Sequence, residues 1–198
     1  MNFFKLRKLG NKLPSTFPAE SCYHLEYLEI VNCELEALPG NFAQVCPNLR
    51  VLNLNNNPIR DLSSLRHLSR LTRLSVLDNL IDNSENIYSL LTTLPELELL
   101  DLRMNPFTIA YYPHMDLTNA YRVYIPNKNN DSEDDWTKFD KGFVKSLDDV
   151  TYLQRVAYRG LVASSCPTVK ILDGILLTLS DYTRANILSQ KFREQLTI

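Results

Sequence analysis

The sequence is poor in the residues that most catalytic and cofactor sites need. It has five Gly in 198 residues, and none falls in a G-x-G-x-x-G or G-x-x-x-x-G-K-[ST] pattern, so no phosphate-cradling loop is encoded. Its four Cys, at 22, 33, 46 and 166, form no C-x-x-C, and its three His, at 24, 67 and 114, stand in unrelated contexts. That spacing argues against a zinc site and against a thioredoxin-like pair, and the cysteines are expected to be unbridged, mostly buried thiols of a reducing compartment. There is no Ser-His-Asp set, no H-E-x-x-H and no carboxylate pair in a plausible cleft; Glu96 and Glu98 merely flank Leu97. Neither enzymatic activity nor a cofactor or metal is expected.

Long apolar runs are also missing; none approaches the roughly 18–20 residues that span a bilayer. The N-terminus is basic but lacks an apolar h-region, which argues against a cleaved secretory signal. Nor is there charge of one sign. Lys and Arg number 21 against 23 Asp and Glu, a net charge of −2, so nothing drives the chain toward nucleic acid or an anionic membrane.

What the sequence does have is a repeat. The template L-x-x-L-x-L-x-x-[N/C]-x-L fits Leu25, Leu28, Ile30, Cys33 and Leu35. It recurs at Leu49, Leu52, Leu54, Asn57 and Ile59, at Leu71, Leu74, Val76, Asn79 and Ile81, and at Leu97, Leu100, Leu102, Asn105 and Phe107. The copies start 24, 22 and 26 residues apart. They resemble the leucine-rich-repeat superfamily. That resemblance implies an α/β solenoid with short parallel strands on a concave face and helices or 3₁₀ turns on the convex face. Cys33, Asn57, Asn79 and Asn105 would form a turn ladder that pairs backbone groups. Leu62, Leu65, Leu68 and Leu71, and then Ile87, Leu90, Leu91 and Leu94, carry helical spacing, with Ser84 as a cap of the second stretch. A degenerate copy is read at Phe3, Leu6, Lys8, Asn11 and Leu13, so the chain is expected to be a fragment of a longer protein.

The period fails after Phe107. The repeats are assigned to residues 1–107, an aromatic and acidic insert to 108–147 with a mobile loop at about 127–141, and a modified last repeat with a helical cap to 148–198, all in one structural domain. A helix is expected from Asp148 to Ser164 with Val150, Leu153, Val156, Ala157 and Leu161 as its apolar side. A closing helix should start at Ser180 or Asp181. Tyr158-Arg159, Cys166-Pro167 and Leu172-Asp173-Gly174 in that order resemble the C-terminal cap of phosphatase-1 regulatory proteins and their relatives.

Strand residues between the core leucines define three concave columns: Tyr27, Val51, Arg73 and Leu99; Glu29, Asn53, Ser75 and Asp101; Val31, Asn55, Leu77 and Arg103. Neighbouring strands lie about 4.8 Å apart, so each column is a continuous stripe, expected to be exposed and to bind a partner. A second aromatic surface is Tyr111, Tyr112, Tyr121 and Tyr124 with Trp136 and Phe139, unless these cover the open end of the core. Ser132, in NNDSEDD, is a candidate phosphosite for an acidophilic kinase.

The runs CPNLRVLNLNNNPIRDLSSL (46–65), LELLDLRMNPFT (97–108) and YLQRVAYRGLVASSCPTVKILDG (152–174) resemble the C-terminal repeat domain of fungal spindle-pole-body scaffolds, the centriolin-like proteins of the mitotic exit and septation initiation networks. The resemblance implies non-enzymatic scaffolding at a microtubule-organising centre, with coiled-coil pole-body proteins and a small GTPase with its GAP as partners, in the cytoplasm and cytoskeleton. Two alternatives stay open: a phosphatase-1-type regulatory subunit, and a splicing-type adaptor that holds an RNA-binding protein without touching RNA itself.

Overall fold

Each repeat supplies one short strand. The computed structural model describes residues 2–7, 22–114, 135–184 and 187. Its strands are β1 (Asn2–Arg7), β2 (Leu25–Val31), β3 (Val51–Asn53), β4 (Arg73–Ser75), β5 (Leu99–Asp101), β6 (Ile171–Leu172) and β7 (Ile175–Leu176). They stand side by side in chain order, parallel from β1 to β6, and β7 turns back antiparallel on β6. The chain returns between strands through α1 (Phe42–Val45), a 3₁₀ turn (Ser63–Leu65), α2 (Ser84–Leu91), and then α3 (Asp135–Val144) and α4 (Asp149–Ser165).

The register follows the repeat template. Leu28, Leu52, Leu74, Leu100 and Leu172 form one inward row across five strands, and none is more than 5% exposed. Ile30, Leu54, Val76 and Leu102 form the next row, equally buried. Each such side chain contributes about 1.5–3 kcal/mol on burial, but only because the neighbouring repeat covers it.

The turn ladder connects the repeats. The Asn57 Oδ1 accepts from the Cys33 N–H at 3.0 Å and the Leu35 N–H at 3.1 Å, while its Nδ2 donates to the carbonyls of Ile30 and Leu54 at 2.8 Å. Asn105 repeats this, accepting from the Ile81 N–H and donating to Val76 and Leu102. Asn79 makes a weaker set, with Ile59 N–H at 3.3 Å and Leu54 carbonyl at 3.1 Å. Cys33 takes the first position, where its thiol donates to the Val31 carbonyl. The residue before each ladder position, Asn32, Asn56, Asp78 and Met104, has a positive φ of 54–60°. Asn and Asp tolerate that conformation best, so three of the four turns carry little strain.

Several expectations are corrected here. Phe3 pairs with Tyr27, Phe4 with Leu28 and Leu6 with Ile30, so the first copy sits two residues off the expected register. In the observed register Phe4 and Leu6 stand opposite Leu28 and Ile30, and Lys8, Asn11 and Leu13 of that copy lie outside the described residues. A slip of two leaves the strand alternation unchanged, which is why periodicity did not expose it. The cap of α2 is Asn83, whose side chain accepts from the Glu85 and Asn86 N–H groups, and Ser84 is the first helical residue. Residues 135–141, expected to be loop, belong to α3.

Helix α4 starts where expected, with Asp148 accepting from the Val150 and Thr151 N–H groups, but it buries a different side. Val150, Leu153 and Leu161 are 65%, 49% and 46% exposed, while Arg155, Tyr158, Arg159, Val162 and Ala163 are buried. Arg155 is held by Asp140 at 2.9 and 2.7 Å and by the Tyr111 carbonyl at 2.7 Å, and Arg159 by Asp181 at 2.7 Å and the Leu176 carbonyl at 3.0 Å. Paired guanidiniums can be buried, and a count of apolar residues assigns them to solvent. The closing helix begins at 179, not at Ser180 or Asp181; Asp181 instead reaches back to accept from the Thr178 N–H and hydroxyl, a capping box.

Asn57→Ala removes both acceptor and donors from a buried turn and leaves the Cys33 and Leu35 N–H groups unpaired. The expected loss is on the order of 2–4 kcal/mol in urea unfolding, and Asn79→Ala, which strands fewer groups, should cost about half that.

Candidate protein-binding face

The three columns form in the expected register: Tyr27–Val51–Arg73–Leu99, Glu29–Asn53–Ser75–Asp101 and, on the following residues, Val31, Asn55, Leu77 and Arg103. They differ in exposure. Tyr27, Val51 and Arg73 are half-buried. Leu99, at 5%, is buried, and so is every member of the other two columns. The expectation of three exposed stripes therefore reduces to one, on β2, β3 and β4.

The inner columns bond mostly within themselves. The Asn53 Oδ1 accepts from the Asn55 N–H at 3.1 Å. The Asn55 Oδ1 accepts from the Ser75 hydroxyl at 2.7 Å and the Leu77 N–H at 2.9 Å. Asp101 takes the Arg103 guanidinium in a two-point pair at 2.9 and 2.6 Å. Short polar side chains on strands this close bond to one another before they can reach a partner. The Asn53 Nδ2 is buried without a hydrogen-bond partner. Beside the open stripe lie Tyr23, which is 58% exposed, and the exposed Arg50. Tyr and Arg are the side chains that anchor protein interfaces best.

The end of the face at β5 and β6 is closed by the C-terminal cap. Trp136 of α3 lies over the Arg103 guanidinium at 4.4 Å and donates its indole N–H to the Asp173 carbonyl at 3.0 Å. Asp173 and Gly174, at φ 57° and 78°, are the two central residues of the β6–β7 hairpin, the type I′ geometry that Asp-Gly favours. A Cβ on Gly174 would stand 2.9 Å from Trp136 Cδ1. The Asp173 carboxylate is fully buried; it accepts from the Leu102 N–H at 2.6 Å and from the Tyr158 hydroxyl at 2.7 Å. In the preceding repeats the equivalent N–H groups of Leu54 and Val76 find a strand carbonyl, from Ser75 and Asp101. The Asp173 side chain replaces that carbonyl where the next strand ends.

The aromatic segment covers this end instead of facing a partner. Tyr112 is buried beneath the Arg155 guanidinium at 4.4 Å, and Tyr111 packs on Tyr158 at 5.5 Å between ring centres. Phe139 stays 57% exposed. Tyr121, Tyr124 and Ser132 lie outside the described residues. Sequence reasoning missed the pairing of Asp140, Tyr158 and Asp173 with the cap, although the Asp-Gly dipeptide between apolar residues is itself a hairpin signal.

Comparison with known proteins agrees with this geometry. Two copies of a leucine-rich-repeat family model match residues 23–67 and 47–89. The chain is a leucine-rich-repeat solenoid. It is 32% identical over 175 residues, 81% of its length, to the septation initiation network scaffold protein cdc11 of Schizosaccharomyces pombe. It is 28% identical over 54% of its length to the leucine-rich repeat and WD repeat-containing protein 1 of Xenopus laevis. The chain spans only 17% and 15% of these two relatives. The solved Drosophila melanogaster SNF/U2A' complex holds a chain with a TM-score of 0.55 and 17% identity, matched over 93% of the solenoid and 79% of that chain, which supports the fold.

Burial, and then the charge of Asp101, push the Asp173 carboxyl up to about 6, against the pull of the Leu102 and Tyr158 hydrogen bonds and of Arg103. Its folded pKa thus exceeds the unfolded one. The corresponding stability is complete below about pH 4 and is lost as the pH rises through about 6. Asp173→Asn removes this titration. Between pH 4 and 7.5 the stability difference should shift in favour of the variant by an amount on the order of 2 kcal/mol, read from paired urea melts. A constant difference would show that Asp173 titrates no differently in the solenoid and the unfolded chain.

Proposed function

We propose that this solenoid is a non-enzymatic protein-binding scaffold domain of the spindle pole body, acting in septation or mitotic exit signalling. The 32% identity over most of the chain to a septation initiation network scaffold supports the pathway. The half-open stripe of Tyr27, Val51 and Arg73 carries the binding reading, because it pairs aromatic, aliphatic and guanidinium groups on a rigid sheet. Coiled-coil pole-body proteins and a small GTPase with its GAP are the partners that fit, in the cytoplasm at the cytoskeleton. A phosphatase-1-type regulator fits less well, since the acidic members of the face, Glu29 and Asp101, are both buried. A splicing-type adaptor shares the fold, and the likeness behind it stands at 17% identity.

The test is affinity capture from mitotic fungal extract with three baits: wild type, Val51→Glu with Arg73→Glu, and Leu153→Asp with Leu161→Asp. The first pair changes the open stripe, and the second changes the exposed side of α4. All four positions are at least partly exposed, so each bait should melt cooperatively. Leu77→Asp is unsuitable because Leu77 is buried. Loss of tenfold or more in capture of pole-body or GTPase-module proteins by the first variant alone, about 1.4 kcal/mol, is the expected result. Loss confined to the α4 variant would reject the concave stripe. Enrichment of a phosphatase catalytic subunit or of splicing factors would reject the pathway.

A further inference from the structure

Cys22 stands three residues before β2, and its N–H donates to the Val45 carbonyl at 2.7 Å. Val45 ends α1 and Cys46 is its C-terminal cap, so this bond sets the two cysteines side by side although they belong to successive repeats. The two thiols are close enough for the Cys22 sulfur to act on the Cys46 thiol. Two further bonds fix the segment: the Leu25 N–H to the Cys22 carbonyl at 3.0 Å, and the Asn48 Nδ2 to the Tyr23 carbonyl at 2.8 Å. The Cys22 N–H meets the carbonyl of the residue before Cys46, so covalent geometry holds the two cysteine Cα atoms within about 7 Å, near the roughly 4.4–6.8 Å that a disulfide bridges.

We infer that Cys22 and Cys46 form a peroxide-oxidisable dithiol, a site of reversible disulfide modification between successive repeats. Their environments divide the work. Cys22 is exposed and Cys46 is buried. Burial, then the neighbouring Cys22, push the Cys46 thiol up to about 12, so Cys22 supplies the attacking thiolate. Its sulfur attacks one oxygen of hydrogen peroxide, the O–O bond breaks, and Cys22 becomes a sulfenic acid as hydroxide leaves. The Cys46 sulfur then attacks the Cys22 sulfur, and the S–O bond breaks. The Cys46 proton departs with that oxygen as water. In sum two thiols and one peroxide give one disulfide and two waters, and a dithiol reductant reverses it. The other two cysteines are placed differently. Cys33 and Cys166 are buried with their thiols on the carbonyls of Val31 and Leu94, at 3.2 and 3.3 Å.

The experiment uses the whole reduced chain exposed to a small excess of hydrogen peroxide, then alkylated and read by intact mass and peptide mapping. The inference expects two of the four thiols to be lost, a product lighter by about 2 Da, and a Cys22 peptide joined to a Cys46 peptide. Dithiothreitol should restore all four thiols. Cys22→Ser changes an exposed position and should fold normally, and under the same treatment it should keep all its remaining thiols. Three results would each overturn the inference: Cys22 carrying added oxygen while Cys46 still alkylates, a linkage between two chains through Cys22, or a wild-type chain whose thiols are unchanged.

Discussion

The structure depends on a constraint of the backbone. From β3 onward, strands of two or three residues leave most of each repeat as turn, and turn N–H and carbonyl groups buried in a solenoid have no strand partner of their own. The ladder amides resolve this by spanning two repeats at once. Asn57 holds the turn of the repeat before it and its own carbonyls together, and Asn105 does the same one step from the other end. Because the amide needs both neighbours, the leucine rows can close only when repeats stack in register. Packing and hydrogen bonding therefore fix the same spacing, and the curvature of the sheet follows from it.

That coupling also decides what the concave face can offer. Where strands stand this close, Asn55 meets Ser75, and Asp101 meets Arg103, before either can meet a partner. Burial works against the charge of Arg103, and the Asp101 carboxylate more than offsets it, so the guanidinium stays charged beneath Trp136. Only the Tyr27, Val51 and Arg73 column, nearest the start of each strand, keeps open surface. A partner would therefore meet a narrow, rigid stripe, a surface that holds its shape before binding and so loses little entropy on association.

The repeats were legible because leucine spacing and ladder residues are imposed by local geometry that every copy shares. The registers of β2 to β5 could be written down from the template alone. What could not be read depends on non-repeating partners. The buried side of α4 is chosen by Asp140, Asp173 and Asp181, up to 22 positions from the residues they pair with, which no periodicity links to it. The same limit applies to the site. Column membership follows from the pleat, but whether a position is open depends on what packs over it, and Leu77 and Leu99, read as exposed, are both buried.

The cap at the β6 end of the sheet follows from what it must replace. β6 ends at Leu172, where the chain turns back into β7, so the Leu102 N–H would lose its strand carbonyl; the Asp173 carboxylate takes that place, bonded by the Tyr158 hydroxyl and favoured by the charge of Arg103. A buried charge is a costly substitute for a carbonyl, and pairs such as Arg155 with Asp140 add little net stability over an apolar cap of the same shape. Their value lies in direction. An apolar cap can slide over the end of the leucine rows, whereas the two-point guanidinium–carboxylate pair fixes α3 against α4, and the Arg155 bond to the Tyr111 carbonyl ties α4 to the segment after β5. With α3 held in this way, Trp136 lies over Arg103 and closes the β5 end of the face.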